Sequence, residues 1–191
     1  RRIARHLAAA FADDVITLTD RDTDFWKKNT WCKANIKAIS NPSSFPIQNH
    51  HVPKIENKLV LAVGRLTSQK GFDLLLDAWS KIISQIPANW RLRIVGNGSD
   101  EVFLKEKCRS LDLEKNVEWI PSTTDIARHY REASIYCLSS RFEGLPMVML
   151  EAISFGLPIV AFDCNTGPAE IISHGKSGFL CESLDVNELA D

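Results

Sequence analysis

Ser139-Ser140-Arg141-Phe142-Glu143-Gly144-Leu145-Pro146-Met147-Val148-Met149-Leu150-Glu151-Ala152 is the stretch on which the reading of this chain turns. It follows Ile135-Tyr136-Cys137-Leu138, an apolar run that reads as a buried strand. Pro146 reads as the first helical position, where a missing N–H costs nothing, and Leu150 and Ile153 continue at helical spacing. The stretch is thus a strand, a glycine-containing loop and a helix N-terminus. In an open α/β sheet ligands bind at such a place. The free N–H groups of Gly144, Leu145 and the first helical turn offer a surface for an anion or a hydroxyl. Two carboxylates bracket the element. Glu143 lies in the loop, and Glu151, eight positions on, falls one and a half turns beyond Pro146 at ~3.6 residues per turn. Carboxylates accept hydrogen bonds from paired hydroxyls, so a polyol such as a ribose or a hexose suits them.

The pattern Glu143-Gly-Leu-Pro-Met-Val-Met-Leu-Glu151, continued by Gly156-Leu157-Pro158-Ile159-Val160-Ala161 and Thr166-Gly167-Pro168-Ala169-Glu170-Ile171-Ile172, resembles the signature of family-4 glycosyltransferases of the GT-B fold. The resemblance covers Lys58 to Cys181 well and Phe11 to Pro46 more loosely. It implies an α/β domain with a Rossmann-like parallel sheet and helices on both faces, the nucleotide-sugar binding half of a retaining transferase. It assigns Glu151 to the ribose hydroxyls and Glu143 to the sugar ring, as an orienting and electrostatic group near the anomeric centre. Gly144, Leu145 and Pro146 would line the same donor site.

Working outward, Gly64-Arg65-Leu66-Thr67-Ser68-Gln69-Lys70-Gly71 follows an apolar strand, Leu59 to Val63, and ends where an amphipathic helix begins at Phe72. Two cations at a strand's carboxyl end, beside a helix N-terminus, suit a diphosphate: Arg65 supplies a planar fork and Lys70 a point charge. Read on the residues alone, two solvated surface cations fit as well. The resemblance adds the family's diphosphate-binding element, Gly-Arg-x4-Lys-Gly, at these positions; Gly64, Arg65 and Lys70 would then stabilise charge building on the leaving diphosphate.

The totals set bounds. The chain has 191 residues, 45% hydrophobic and 25% charged, an ordinary globular composition for one sizeable domain or one domain plus a fragment. A net charge of −1 gives no global basic field for nucleic acid. The five cysteines are scattered without a Cys-x-x-Cys and read as reduced, mostly buried thiols. No run approaches the ~20 apolar residues of a spanning helix. The chain opens at Arg1 without a Met and stops at Asp191 inside a helical pattern, so it is expected to be an excised piece of a longer protein.

The resemblance implies that residues 1–41 are the tail of an acceptor-binding domain. Ile3, Leu7, Ala10 and Phe11 repeat at helical spacing, Val15 to Thr19 and Ile36 to Ser40 read as strands, and Asp20 is a plausible N-cap for a short helix through Trp26. Residues 42–57, with three prolines and no period, read as an interdomain linker, and residues 58–191 as the donor domain. From Lys58 strands and helices alternate: Phe72 to Ile86, Val102 to Leu111 and a short helix capped by Asp125 separate strands at Leu92–Val95, Val117–Ile120 and Ile135–Leu138, with further strands at Ile159–Phe162 and Phe179–Leu180. That rhythm predicts a parallel sheet.

Gly96-Asn97-Gly98 could line a ligand or simply close a βα turn; it is not the Gly-x-Gly-x-x-Gly of a dinucleotide site. In the resembling family the counterpart of Ile120-Pro121-Ser122 meets the nucleobase, where Gly often stands in place of Pro121. Ser139 reads equally as a ligand contact and as a turn device at a strand end, and Thr166 to Glu170 is open in the same way. The histidines show no ligand spacing beyond the adjacent pair His50 and His51. The expectation is a retaining glycosyltransferase using an NDP-sugar, with UDP favoured, needing neither cofactor nor metal. The acceptor would be a glycan or a lipid-linked sugar held by an absent N-terminal domain. A cytoplasmic location, with the full-length protein peripheral to the membrane's cytoplasmic face, accompanies it. Alternatives are a non-catalytic nucleotide-sugar binding module and a GT-B-like UDP-sugar epimerase.

Overall fold

A computed structural model describes residues 2–29, 31, 33–48, 51–87 and 89–191. Cys32, and His50 of the adjacent histidine pair, lie outside the described residues. The N-terminal part is α1 (Arg2–Phe11), β1 (Asp14–Thr17), α2 (Asp20–Asn29) and β2 (Asn35–Ala38), with β1 and β2 paired in parallel. The main part runs β3 (Leu59–Val63), α3 (Phe72–Ile82), β4 (Arg91–Val95), α4 (Glu101–Ser110), β5 (Val117–Ile120), α5 (Ile126–Glu132), β6 (Ile135–Leu138), α6 (Met147–Ser154), β7 (Ile159–Asp163), α7 (Pro168–Ile171), β8 (Gly178–Glu182) and α8 (Val186–Ala190).

The six strands of the main part form one parallel sheet in the order β5-β4-β3-β6-β7-β8. Renumbered from β3, this is the doubly wound order 3-2-1-4-5-6, whose direction reverses between its first and fourth strands. Both faces are covered. Along β6, Cys137 joins a core with Leu76, Trp79 and Leu104 on one face, while Tyr136 and Leu138 join Met149, Phe155 and Ile159 on the other. Burial on both faces explains why the central strands β3 and β6 read as unbroken apolar runs.

Several boundaries differ from those read in the sequence. Pro146 has extended backbone and precedes α6, so Met147 is the first helical residue; proline's fixed φ suits either position. Thr19, not Asp20, caps α2: its Oγ1 accepts the Asp22 N–H at 3.2 Å, and Asp20 is already helical. Asp125 stands at the N-cap of α5 without its side chain accepting a bond there. The periodic face of α1 is solvent-facing, with Ile3 76%, Leu7 53% and Phe11 83% exposed.

The described residues of 42–57, those at 42–48 and 51–57, dock on the main part as a strap. Phe45 meets Tyr130 and Phe155 edge-on. Ser43 Oγ lies 2.7 Å from Ser154 Oγ, and the His51 ring bonds Phe155 O at 2.8 Å and Arg131 O at 3.1 Å. Prolines erase sequence periodicity without preventing such bonds.

Candidate active site

The reversal of strand order leaves a crevice at the carboxyl ends of β3 and β6, and the loops on either side of it are stitched together. Arg141 N–H donates to Gln69 O at 2.8 Å, Gln69 Nε2 to Phe142 O at 3.1 Å, and Ser139 Oγ to Lys70 O at 3.0 Å. The Arg141 guanidinium forks onto both Asp73 carboxylate oxygens at 2.7 Å and also reaches Ser68 O at 2.8 Å. Burial alone would raise the Asp73 carboxyl, but the Arg141 hydrogen bond and charge, with Lys107 beyond, hold it below its usual range.

This scaffold brings Lys70 and Glu143 together across 73 positions of sequence. Lys70 Nζ lies 2.7 Å from Glu143 Oε1, with side chains 13% and 7% exposed. Ser140 Oγ donates to the same oxygen at 2.7 Å. The Lys70 stem lies against Gly64, where an added Cβ would come within 3.1 Å of its Cδ and Cε. Arg65 stands exposed nearby with no side-chain partner among the described residues. It lines a cavity of about 260 Å³ with Gly64, Gly96, Asn97, Ser122 and Thr123. Glu143 opens instead onto a larger cavity, about 800 Å³, where Phe142, Asn165 and Thr166 face Arg21, Phe25 and Lys28 of the N-terminal part. Arg21 also bonds Asp163 at 3.0 Å across this opening. A third, largely apolar cavity of about 460 Å³ lies between α3, α8 and the sheet and contains none of the sequence-derived candidates.

The remaining candidates divide. Gly144 is exposed with open space where a Cβ would stand, and the N–H groups of Gly144 and Leu145 find no protein acceptor among the described residues. Pro146 is buried, and a Cβ on Gly167 would sit 2.5 Å from its Cδ. Glu151, the fifth residue of α6, accepts from Tyr130 Oη at 2.8 Å. Gly96 and Gly98 serve close approach of backbone: a Cβ at Gly96, whose φ is 152°, would lie 1.9 Å from Gly64 O, and one at Gly98 would lie 2.1 Å from Leu66 O. Asn97 Oδ1 accepts from Ser122 N at 2.6 Å, and Ile120 O accepts from Gly96 N at 2.9 Å. Ser139 is 1% exposed and its hydroxyl donates to Lys70 O, so in this structure it braces that loop. Thr166 likewise donates to Glu143 O at 2.5 Å.

Sequence reading missed Ser140, the Arg141–Asp73 fork and Tyr130. Ser140 and Arg141 lie inside the quoted motif, and their polarity between apolar neighbours was the available signal. Tyr130 gave none, because an aromatic at the end of a helical pattern reads as core. Its phenol is pushed far up, by burial first and then by Tyr136 and Glu151, so it stays a hydrogen-bond donor. The only group of three acids close enough to share a cation among the described residues, Glu182, Asp185 and Glu188, is occupied otherwise: Asp185 caps α8, and Glu188 accepts from Glu182 N–H.

A family model described as "Glycosyl transferases group 1" matches residues 46–191. An uncharacterized glycosyltransferase of Haemophilus influenzae is 41% identical over 99% of this chain and 53% of its own length. The amylovoran biosynthesis glycosyltransferase AmsD of Erwinia amylovora is 40% identical over 84% of this chain and 46% of its own. The chain thus spans about half the length of these curated relatives. Among solved structures, TarM superimposes with a TM-score of 0.88 at 26% identity, over 99% of this chain and 37% of that one. A variant of TarM from S. aureus, solved with Fondaparinux, α-GlcNAc-glycerol and UDP, gives a TM-score of 0.87 at 27% identity over 96% of this chain and 36% of its own. The six-stranded parallel sheet is the Rossmann-like sheet of GT-B proteins, as the sequence implied.

Proposed function

Because the chain belongs to the group 1 glycosyl transferases, we propose that it is the donor-binding part of a retaining glycosyltransferase that takes a UDP-sugar. The observation that carries the reading is the Lys70–Glu143 contact of 2.7 Å, which joins the cationic loop after β3 to the acidic loop after β6 at the strand-order reversal. In this reading Arg65, Lys70 and the open amides of Gly144 and Leu145 meet the diphosphate. The reading needs no bound divalent metal, since these groups already oppose the leaving charge. Glu151 takes ribose hydroxyls, and the cavity beside Arg65, walled by Asn97, Ser122 and Thr123, receives the base.

During transfer the bond between the anomeric carbon and the diphosphate oxygen breaks, and an acceptor hydroxyl oxygen bonds that carbon on the same face. The acceptor's proton leaves with the phosphate oxygen. Arg65 and Lys70 stabilise the charge on the departing diphosphate, and Glu143 orients the sugar and stabilises positive charge at the anomeric carbon. A glycan or lipid-linked acceptor enters from the 800 Å³ opening toward the N-terminal part, a choice supported by the relative named for amylovoran biosynthesis. Further acceptor contacts come from residues of the parent outside this chain. Closure of two domains would be required, so this chain alone binds nucleotide and transfers poorly. Among the described residues no helix is long and apolar enough to cross a membrane; the proposed location is the cytoplasm, with the full-length protein at the membrane's cytoplasmic face.

Calorimetric titration of UDP, GDP and ADP into wild type and Lys70→Ala tests the reading. Binding of UDP in preference to the others, weakened in Lys70→Ala, is expected. Equal weak binding of all three to both proteins would sink it.

A further inference from the structure

Tyr130 is fully buried, and its hydroxyl lies 2.8 Å from Glu151 Oε2 and 3.3 Å from Val148 O. A phenol has one proton to give, and the carboxylate is both the nearer and the stronger acceptor. No other protein group among the described residues bonds this carboxylate. One oxygen is therefore held and the other is left without a protein partner.

The ring that carries the hydroxyl is itself fixed from three sides. It stacks on Phe155 at 5.4 Å between centroids with planes 15° apart. Phe45 of the strap meets it edge-on at 6.3 Å, and Tyr136 of β6 lies at 6.1 Å. A two-torsion side chain packed this way cannot move its Oη without moving the core. Glu151, by contrast, has three torsions and is only partly buried; left alone it would sample several positions, and each would have to be frozen when a ligand bound.

We infer that Tyr130 is a positioning residue for the donor's ribose: it pins Oε2 of Glu151, so that Oε1 is preset to accept from a ribose hydroxyl. The inference rests on the proposed reading that Glu151 takes the ribose. It extends that reading to a residue on another helix and, through Phe45, to the strap that crosses both.

The test compares UDP with 2′,3′-dideoxy-UDP by calorimetry, using the 191-residue chain, its Tyr130→Phe and Glu151→Gln variants and the double variant. Tyr130→Phe keeps every ring contact and removes one hydroxyl. It is expected to weaken UDP roughly five- to twentyfold, below the ~10- to 100-fold scale of a hydrogen bond to a charged group because the Tyr130–Glu151 bond exists in the free protein too, and to leave dideoxy-UDP within about twofold. The double variant is expected to bind UDP no more weakly than Glu151→Gln, because the two changes act on one interaction. Equal weakening of both ligands would mean that Tyr130 acts through packing alone and would overturn the inference. So would unchanged UDP binding in a protein whose wild type prefers UDP over the dideoxy compound. If wild type itself does not distinguish the two ligands, Glu151 does not take the ribose and the inference falls with that assignment, while the Lys70 comparison still judges the diphosphate site. Should Tyr130→Phe fail to fold, Phe45→Leu, which loosens the ring without touching its hydroxyl, is expected to give a smaller loss confined to UDP. A loss shared by both ligands would again overturn the inference.

Discussion

Lys70→Met removes the ammonium from the Lys70–Glu143 pair while keeping an aliphatic stem to lie over Gly64. Without its cation, Glu143 retains the Ser140 hydroxyl at 2.7 Å but is otherwise an uncompensated charge, 7% exposed. Deleting one partner of a fully buried pair costs about 3–5 kcal/mol. This pair stands at the wall of an open cavity, where water screens part of the loss, so the lower figure of about 2–3 kcal/mol applies. At about 2–4 °C per kcal/mol for a domain of this size, the melting temperature should fall by roughly 4–12 °C. Glu143→Gln added to Lys70→Met removes the stranded charge, so the double variant should recover about 1–2 kcal/mol. Lys70→Met on its own should weaken UDP roughly 10- to 100-fold, as expected for one charge-assisted contact, and leave uridine alone. Thermal denaturation of the four proteins in the cycle, with titrations of UDP and uridine, measures both effects. A double variant no more stable than Lys70→Met, together with equal losses for UDP and uridine, would refute the view that this pair is a charge-compensated diphosphate site.

Gly96→Ala should destabilise the chain by about 2 kcal/mol or more, read by chemical denaturation, because its Cβ would collide with Gly64 O in a strained φ. Gly144→Ala should leave the melting temperature within about 1 °C, since it meets no protein atom, yet lower nucleotide affinity because the methyl intrudes on the open amides. The depressed Asp73 carboxyl makes the folded state bind fewer protons than the unfolded one. Its stabilising effect is therefore complete above its ordinary value of 3.8 and is lost as pH falls through the lower folded value. Arg141→Met should flatten that part of the acid denaturation curve. Burial pushes the Cys137 thiol up to about 12 and those of Cys164 and Cys181 to about 11, so in a Cys32→Ser background these thiols should resist a disulfide reagent at neutral pH until the chain unfolds.

The sheet was legible because its central strands, β3, β6 and β7, are almost entirely apolar and covered on both faces, which leaves apolar runs that polar and glycine-containing loops punctuate. The loops at the strand ends were legible too, because Arg65, Lys70, Glu143 and Glu151 are polar groups where the pattern called for turns or core. What could not be read was where polar groups are spent. Ser139 and Asn97 read in sequence only as possible ligand contacts, and nothing local shows that each also braces the scaffold, Ser139 by donating to Lys70 O and Asn97 by accepting from Ser122 N. Thr19 and Asp20 are both acceptable caps, and only the backbone decides that Thr19 faces the Asp22 N–H. The strap at 42–57 lacked any period because its partners lie about a hundred positions away, at Ser154 and Phe155. The Arg141–Asp73 fork and the Tyr130–Glu151 bond likewise join residues that no local pattern relates.

The stitching across the crevice also bears on why a cation and a carboxylate touch before any donor arrives. Two loops leaving β3 and β6 diverge at the strand-order reversal, so their contacts must be built by side chains and loop amides rather than by the sheet. Arg141, Gln69 and Ser139 do this, and the result sets Lys70 and Glu143 within 2.7 Å. Each group alone would be a poorly solvated charge; together they neutralise one another at little cost to the resting fold. On the proposed reading, a diphosphate entering beside Arg65 would offer Lys70 a second anion, and a sugar hydroxyl would offer Glu143 a neutral donor. The pair would then turn to its ligand with Lys70 facing an anion and Glu143 held by two hydroxyl donors, that of Ser140 and that of the sugar. The preorganisation lies in the loop framework, whereas the pair itself is an exchangeable contact. On this argument Glu143→Gln, which releases Lys70 from its internal partner, should bind UDP at least as tightly as wild type.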